Sequence, residues 1–561
     1  MAAHGEEHFD VVVVGSGFGG AVAACRLAEC EREVLVLERG QPYPPGSFAR
    51  TPPQMKRAFW DPEEKLHGLF ELWRFSDLDM VVSSGLGGGS LIYANVMIPK
   101  DEDSFVRENL GAGGRESWPI TYEQLRDHYE AVLDRQQPQR FPADVEPYAS
   151  TGRTAALQEA AGALGFKGER PELAVLFAPS RGEEPAPGLP VPGDTLHHRP
   201  RITCVMCGEC DLGCNFGAKN TLDHTFLTDA KNAGAVLRTC CEVRTIEPLA
   251  NGRGRYRVGY RQHLEARAGH PADLLDPRSE ESELSVLADH VILAAGAVGT
   301  PRLLLMNRAA LPGLSAAAGK RVSANGDALA IIRDADRPLD PSRGPVITAS
   351  FRVDEGDSPS GRSYEIQDGG APVIADWVWE SLDVPKLPWR MRRTILREIR
   401  GALLGRRDTN LSAELSEVFG KRSANLMPVL GHGRDIPTGR YRLDGGRLEL
   451  DWSSEPSEDY YRGLEELFED VAHTLGGKLL KSPWRRLNRS VTIHPLGGAV
   501  MADDPRHGVV DARGEVFGWP GLYVADGSAM PGPVGVNPSF TIAAFADWVA
   551  KGIAGQKDPR R

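Results

Sequence analysis

Half of the cysteines in this 561-residue chain lie close together, in the segment TCVMCGECDLGCNFGAKN. They are Cys204, Cys207, Cys210 and Cys214, in the spacing C-x₂-C-x₂-C-x₃-C. That spacing matches the run that binds an iron–sulfur cluster in bacterial ferredoxins. Zinc sites usually separate two C-x-x-C pairs by a long loop instead. We therefore expect a [4Fe-4S] cluster, with zinc, metal-free thiols or a disulfide as the open alternatives.

The ligand set departs from the ferredoxin run at one position and lacks a second run. Asn215 stands where ferredoxins have proline, so the fourth ligand is either Cys214 or one of the pair Cys240 and Cys241. The remaining cysteines, Cys25 and Cys30, fall on a predicted helix and are expected to be packing residues.

A second chemical motif lies near the N-terminus, in VVVVGSGFGG. Gly15, Gly17 and Gly20 form G-x-G-x-x-G directly after an apolar strand and at the start of a helix. Such glycines permit a tight turn, a close backbone approach to a pyrophosphate, and close packing of helix on strand. Glu38 closes the next strand, where a carboxylate accepts hydrogen bonds from a ribose. Together these residues predict a dinucleotide site.

Further glycine-rich segments at 85–90, 294–299 and 526–535 could line a longer, buried cofactor than NAD. The segments GLGGGSLIYANVM, AAGAVGTPRLLL, HPLGG and GLYVADGS…PGPVGVNPS closely resemble the glucose–methanol–choline (GMC) flavoprotein oxidoreductases. HPLGG and GVNP resemble the cholesterol oxidase branch in particular. The resemblance runs through most of the chain and implies FAD as the cofactor.

The resemblance also assigns the FAD contacts to positions in this sequence. Residues from the first glycine loop to Glu38 would hold the ADP half, the second glycine loop and Asn95 would follow the pyrophosphate and flavin, and Val243 would contact adenine through its backbone. Asp526 and Gly527 would approach the ribityl chain. The complete expected set is Gly15, Gly17, Phe18, Gly19, Gly20, Glu38, Gly85, Gly87, Gly88, Gly89, Ser90, Asn95, Val243, Asp526 and Gly527.

The same resemblance implies a catalytic pair, His494 in VTIHPLGGAV and Asn537 in VGVNPSFTIAAF. An alcohol is too weak an acid to lose its hydroxyl proton unaided while a hydride departs, and a positioned base contributes roughly 10²–10⁴ in rate. Imidazole has a suitable pKa for that base, and a carboxamide binds the hydroxyl oxygen without titrating. Cholesterol oxidases also use a glutamate, which the stretch RSYEIQDGG would place at Glu365. On a strand, Glu365 could instead face solvent.

The elements that position these residues predict an α/β fold with a Rossmann-like FAD-binding domain. Strand, glycine turn, helix and strand follow one another near the N-terminus, and α/β texture returns after residue 485. Between about 326 and 485, alternating strands predict a mixed or antiparallel sheet. We expect a discontinuous FAD-binding domain and a substrate domain threaded through it. The former comprises 1–100, 220–325 and 486–561, and the latter 101–219 and 326–485, with the Cys-rich loop at 204–214.

Composition limits the partners and the compartment. The net charge of -12 argues against nucleic acid, whose phosphates require a basic face. No basic leader and no run of about 20 apolar residues is present, so a cytoplasmic protein is expected. The basic, amphipathic stretch at 385–407 predicts a helix that either contacts membrane lipid peripherally or forms a solvated face over the core.

These observations lead to one functional hypothesis with two alternatives. We expect FAD-dependent oxidation of a secondary alcohol on a bulky, sterol-like 3β-hydroxy substrate to the ketone, with double-bond isomerisation as an added step. The electron acceptor is oxygen or a carrier. The first alternative is a GMC dehydrogenase for a sugar or terpenoid alcohol that relays electrons through the iron–sulfur cluster. The second is a redox-sensing flavoprotein without turnover.

Overall fold

The structure is a computed structural model that describes residues 6–250, 254–278, 282–358, 361–372, 423–481 and 489–556. Its α-helices are α1 (Phe18–Glu29), α2 (Pro52–Lys56), α3 (Tyr122–Gln136), α4 (Gly152–Ala163), α5 (Phe226–Asn232), α6 (Gly296–Met306), α7 (Glu458–Thr474) and α8 (Ser539–Ala554). Its strands are β1 (His8–Val14), β2 (Val34–Leu37), β3 (Trp60–Asp61), β4 (Leu66–His67), β5 (Phe70–Arg74), β6 (Leu78–Ser83), β7 (Gln139–Arg140), β8 (Gly168–Glu169), β9 (Glu172–Leu173), β10 (Pro190–Val191), β11 (Arg201–Ile202), β12 (Val236–Arg238), β13 (Cys241–Pro248), β14 (Tyr256–Gln262), β15 (Glu283–Leu293), β16 (Lys320–Val322), β17 (Ala328–Arg333), β18 (Ser350–Val353), β19 (Tyr364–Asp368), β20 (Met427–Gly433), β21 (Gly439–Asp444), β22 (Arg447–Asp451), β23 (Lys478–Lys481), β24 (Ser490–Thr492) and β25 (Leu522–Val524).

The larger sheet has the order β12-β2-β1-β15-β14-β13, with β25 also pairing with β15. Strands β12, β2, β1, β15 and β25 run parallel, whereas β13 and β14 are antiparallel additions. The consecutive residues Val11 to Val14 are all buried, as expected for a parallel strand covered on both faces. Helices α1 and α8 contribute to the core of this sheet. The predicted Rossmann-like α/β fold is therefore confirmed.

A second sheet has the order β23-β17-β20-β19-β18-β8 and is antiparallel throughout. Tyr364 and Ile366 of β19 bury their side chains in a core that includes α4 and α7. Because side chains alternate along a strand, Glu365 and Gln367 point to the opposite face, as does His432 of β20. This polar face carries much of the candidate site.

The boundaries proposed for the two domains stay a prediction. The strands of the larger sheet come from positions spread between residues 8 and 524, on either side of the second sheet's strands 328–333 and 427–433. Within the part of the chain that the structure describes, no helix has the length and apolarity to cross a membrane. The basic stretch 385–407 lies outside the described residues.

Candidate functional site

The N-terminal glycine loop forms a cradle in which backbone segments touch. Gly15 adopts φ +96°, a left-handed conformation that favours glycine. A Cβ on Gly19 would lie 1.9 Å from the carbonyl oxygen of Ala525, and one on Gly88 would lie 2.5 Å from the Cα of Gly17. The three predicted glycine segments therefore converge around the start of α1. Side chains larger than hydrogen at Gly19 or Gly88 would push these backbone segments apart.

Glu38 is bound at the end of β2 by a residue that sequence reasoning missed. The backbone N–H and the hydroxyl of Ser16 donate to Glu38 Oε2 at 3.0 and 2.6 Å, and the N–H of Gly40 donates to Oε1 at 2.8 Å. The Ser16 hydroxyl also accepts a hydrogen bond from the Gly87 N–H at 3.0 Å. Ser16 thus ties the carboxylate to both glycine loops. Its position inside G-x-G was the available signal.

The second glycine segment ends in a buried amide that lacks protein partners. Asn95 is fully buried at φ +71°, and neither its Oδ1 nor its Nδ2 has a hydrogen-bond partner among the described residues. Leaving such an amide unsatisfied is costly, so a ligand group is expected beside it. Ser90 is already satisfied, because it donates to the Gly87 carbonyl and accepts from the Leu222 N–H. The cradle and the orphaned Asn95 amide fit FAD.

Four other predicted contacts have distinct surroundings. The ring of Phe18 meets that of Tyr93 edge-on, with centroids 5.3 Å apart. Asp526 accepts four hydrogen bonds, from Gly296 N–H, the Thr300 hydroxyl and the N–H and hydroxyl of Ser528. Since a carboxylate has about four acceptor sites, Asp526 braces the start of α6. Gly527 is buried beside it, and Val243 lies at a bulge in β13.

His494 is anchored by a carboxylate that the sequence did not reveal. Its Nδ1 lies 3.0 Å from Oδ1 of Asp327, and the Nδ1 of His432 lies 3.0 Å from the same oxygen. The Thr492 hydroxyl and the Ile493 N–H donate to the other oxygen, Oδ2. Burial alone would raise the pKa of Asp327, but the two histidines outweigh it and hold that pKa far below its usual value. Asp327 is therefore an anion that accepts from both imidazoles.

Asn537 is fixed from two sides in the loop before α8. Its Oδ1 accepts from Gln367 Nε2 at 2.7 Å. The side chain of Asn325 clamps the preceding loop, donating to the Val536 carbonyl and accepting from the N–H groups of Val534 and Gly535. Asn325 and Asp327 belong to the same buried turn, so one turn holds both predicted catalytic side chains. The structure thereby brings His494 and Asn537 into a single polar network.

Glu365 lies on the polar face of β19, opposite His432 in register. It is buried, so the alternative that it faces solvent is wrong. Burial raises the pKa of its carboxyl to about 7. Gln367, two residues further, is the member of this strand that contacts Asn537. Its position in the sequence segment RSYEIQDGG gave no sign of that role.

All four thiols, Cys204, Cys207, Cys210 and Cys214, line one small pocket formed by the cysteine segment. Two glycines shape it. Gly208 (φ +70°) has no room for a Cβ beside the Ser342 carbonyl, and Gly213 (φ +89°) has none beside the ring of Phe48. Over the described residues, no three of the four sulfurs lie within 4.8 Å of one another. Tetrahedral zinc would need sulfurs about 3.8 Å apart.

The other cysteine alternatives are corrected by the structure. Cys240 and Cys241 do not line the cavity; Cys240 lies beside His270 and Cys241 donates to the Thr239 carbonyl. All eight cysteines are free, so the disulfide alternative is wrong. Cys25 is buried on α1 as expected, whereas Cys30 is exposed at the end of that helix and is not a packing residue.

A buried lysine connects the cysteine cavity with the glycine cradle. Lys219 donates through Nζ to the carbonyls of Leu91 and Tyr93, after the second glycine loop, and to the carbonyl of Cys210. Asp211, the next residue, is half-buried; desolvation raises the pKa of its carboxyl to about 6, while Lys219 and His494 act in the opposite direction. The cysteine loop is therefore in electrostatic range of His494.

Comparison with known families agrees with this geometry. Two models described as GMC oxidoreductase match residues 195–312 and 457–546, and a model described as FAD binding domain matches residues 10–47. The matched regions contain the cysteine loop, the histidine and asparagine segments, and the first glycine loop. The chain belongs to the GMC oxidoreductase family.

Its relatives define the enzyme class further. A cholesterol oxidase of Mycobacterium tuberculosis is 29% identical, covering 98% of this chain and 93% of that protein. One of Acinetobacter baumannii is 28% identical over 96% and 93%, and a long-chain-alcohol oxidase of Arabidopsis thaliana is 24% identical over 97% and 66%. The chain is an FAD-dependent alcohol oxidoreductase of the cholesterol oxidase-like branch. The non-catalytic alternative is thereby set aside.

Solved structures support the fold. A pyridoxine 4-oxidase has a TM-score of 0.61 at 17% identity, with 98% of this chain and 100% of that chain covered. A fungal aryl-alcohol oxidase has a TM-score of 0.54 at 16% identity, with 97% and 98% covered.

Proposed function

We propose that this enzyme oxidises a secondary alcohol on a bulky, sterol-like 3β-hydroxy substrate to the ketone. The observation that carries the proposal is the single turn around Asn325 and Asp327, which holds His494 and Asn537 in one network beside the glycine cradle. The sterol-like substrate is supported by the cholesterol oxidases among the relatives. When bound, FAD supplies the acceptor for the hydride that leaves the carbinol carbon.

His494, Asn537 and Glu365 have separate roles in the proposed reaction. His494 Nε2 takes the hydroxyl proton, since Asp327 occupies its Nδ1. Asn537 binds the hydroxyl oxygen and orients the carbon–hydrogen bond. We also assign the double-bond isomerisation to Glu365, whose carboxyl has a pKa near 7 because it is buried and so can both take and return a proton at neutral pH.

The experiment is anaerobic reduction of the bound flavin, followed by its visible absorbance. A 3β-hydroxysterol should bleach the flavin faster than a long-chain primary alcohol or a sugar alcohol. His494→Ala should slow bleaching by about 10²–10⁴, while His507→Ala, at an exposed histidine paired with Asp504, should not. Bleaching by the primary alcohol or the sugar alone would refute the sterol assignment and leave the alcohol oxidoreductase in place.

A second candidate, a dehydrogenase that passes electrons to a carrier, is favoured by the cysteine cavity. The four thiols are spaced too widely for one zinc ion, yet they line one pocket. We propose that they hold a [4Fe-4S] cluster, which would supply one-electron transfer when bound. Lys219, which donates to the carbonyls of Cys210 and Tyr93, connects the cysteine loop with the second glycine segment and supports a short path between the cluster and FAD. A reducing cytoplasm, where thiols stay unpaired, is the compartment we propose.

Iron and acid-labile sulfide should be measured on protein prepared without air. We expect about four of each per chain, with loss of both in Cys214→Ser and no loss in the matched variant Cys240→Ser. Stoichiometric zinc, or no metal in any preparation, would refute the cluster. If reduced flavin is reoxidised by a carrier but slowly by oxygen, the enzyme is a dehydrogenase; fast reoxidation by oxygen makes it an oxidase.

A further inference from the structure

The predicted catalytic residues are the two ends of one buried chain of hydrogen bonds. From Asn537, the chain runs through Gln367 at 2.7 Å, His432 at 3.3 Å and Asp327 at 3.0 Å to His494 at 3.0 Å. These residues come from separate segments, namely the loop before α8, strands β19 and β20, the turn before β17 and the segment after β24. Such an uninterrupted chain couples the proton positions of its members.

Asp327 determines the state of the two imidazoles. A carboxylate only accepts hydrogen bonds, so the Nδ1 atoms of both His494 and His432 must carry hydrogen. Neutral His494 therefore has a lone pair on Nε2, as a base for an alcohol requires. The rings meet edge-on at an interplanar angle of 72°, with centroids 5.0 Å apart. Two positive imidazoles at that distance repel each other, so the pair holds one proton more readily than two.

The remaining hydrogen bond of His432 depends on Gln367. Gln367 donates its Nε2 hydrogen to Asn537 Oδ1, which leaves its Oε1 facing His432 Nε2. In this amide orientation Oε1 is the acceptor, and His432 satisfies it by donating from Nε2 as well as from Nδ1, that is, as an imidazolium. If His432 were neutral, both amides would turn, and Asn537 would present its oxygen rather than its NH₂ group to the site.

We propose that His432 is a positioning residue: as an imidazolium between Asp327 and Gln367, it holds the Asn537 amide with its NH₂ group toward the substrate oxygen. The active state then has one proton on the pair, located on His432, while His494 is neutral. This inference rests on the proposed function of His494 and Asn537 as the catalytic pair.

The pair must titrate as a unit within its surroundings. The charged or titratable groups that face His432 are Asp327 before β17, His494 after β24 and Glu365 on β19. Burial and the neighbouring His494 lower the pKa of His432, and Asp327 offsets them only in part, so its imidazolium form is favoured on the acid side of neutrality. Because the two imidazoles share one carboxylate, the apparent pKa values belong to the pair. We expect kcat/KM to be bell-shaped, falling on the acid side when the pair takes up a second proton and on the alkaline side when His432 loses its proton.

The activity test compares three variants of the FAD-loaded enzyme. His432→Gln cannot titrate, and Gln367→Leu cannot pass the state of His432 on to the orientation of the Asn537 amide, so both should lose the alkaline limb and about tenfold in kcat/KM at the optimum. His128→Gln changes another buried, Asp-paired histidine, between α3 and α8, and should retain the bell shape. An unchanged alkaline limb in His432→Gln would overturn the proposal, as would equal loss of rate at every pH.

A second measurement does not depend on turnover. Nitrogen-15 NMR of histidine-labelled holoenzyme should show hydrogen on Nδ1 of both residues, and loss of a single proton from Nε2 of His432 as the pH rises. In Asp327→Asn the Nδ1 signals should change for both rings. A neutral His432 with hydrogen on Nε2 would refute the inference. If these signals appear but no alcohol reduces the flavin, the proposed function fails and the proton arrangement stands.

Discussion

Replacing Asp327 by Asn tests the central carboxylate with almost no change of volume. The amide has one acceptor oxygen, and its NH₂ group can only donate. It can no longer accept from His494 and His432 on one side and from the Thr492 hydroxyl and Ile493 N–H on the other. Both imidazoles contact Oδ1. If the NH₂ group of the asparagine takes that position, both rings must move their hydrogen from Nδ1 to Nε2; if it takes the Oδ2 position, it faces the Ile493 N–H, which is also a donor.

The expected loss follows from which nitrogen is left free. A His494 with hydrogen on Nε2 has no lone pair toward the substrate hydroxyl, so the contribution of a general base disappears. That contribution is roughly 10²–10⁴ in rate, or about 3–5 kcal/mol of barrier. The free energy of unfolding should change far less, because the substitution also removes the cost of burying a charge.

The assay is stopped-flow reduction of the flavin under nitrogen, with the thermal midpoint measured on the same preparations. Asp276→Asn serves as the control, since Asp276 is a buried carboxylate bound to Tyr260 and Arg278 in another part of the molecule. A rate for Asp327→Asn within about threefold of wild type would refute the tautomer argument.

Other variants test the cradle, the isomerisation site and the cluster. The methyl group of Gly89→Ala meets no protein atom within 4 Å, so the thermal midpoint of the apoprotein should be unchanged. Because the methyl would enter the space expected to hold FAD, the FAD content should fall by at least about half. Glu365→Gln should leave flavin reduction intact and abolish isomerisation, as product spectra would show. Burial raises the pKa of Glu365 to about 7. The protonated carboxyl therefore contributes its full stability below about pH 4.3, and that contribution is lost as the pH rises through about 7. Over this pH range the thermal midpoint of Glu365→Gln should fall less than that of the wild type. Cys210→Ser should abolish iron binding, measured by metal analysis, and Cys241→Ser should not.

Local motifs were predictable from the sequence because their function depends on residues that are adjacent in the chain. The glycine turn between β1 and α1 is an example, since it depends on backbone conformation at Gly15 and on close contact at Gly19. The resemblance of the HPLGG and GVNP segments likewise pointed to His494 and Asn537. The spacing of the cysteines predicted that they would meet in one cavity.

The supporting residues could not be predicted in the same way. Asp327 contacts His432, 105 positions further along the chain, and His494, 167 positions further. No local spacing in the sequence could predict contacts at such separations. Alternation along β19 placed Glu365 and Gln367 on one face, yet only tertiary structure decides which of them meets Asn537. Ser16 was hidden for another reason, because a serine inside a glycine loop has an ordinary structural explanation.

The turn at 323–327 links the positions of His494 and Asn537 to the position of the second sheet. Ser323 pairs with Leu496 beside the HPLGG segment, Asn325 clamps the GVNP loop, and Asp327 leads directly into β17. A shift of that sheet therefore moves the acceptor of His494 and the clamp of Asn537 together. A bulky substrate that packs on the polar face near Glu365 would act on both catalytic residues at once. With a small alcohol that lacks such contacts, only the turn at 323–327 would align His494 and Asn537. Selectivity for large substrates should therefore appear in kcat as well as in KM.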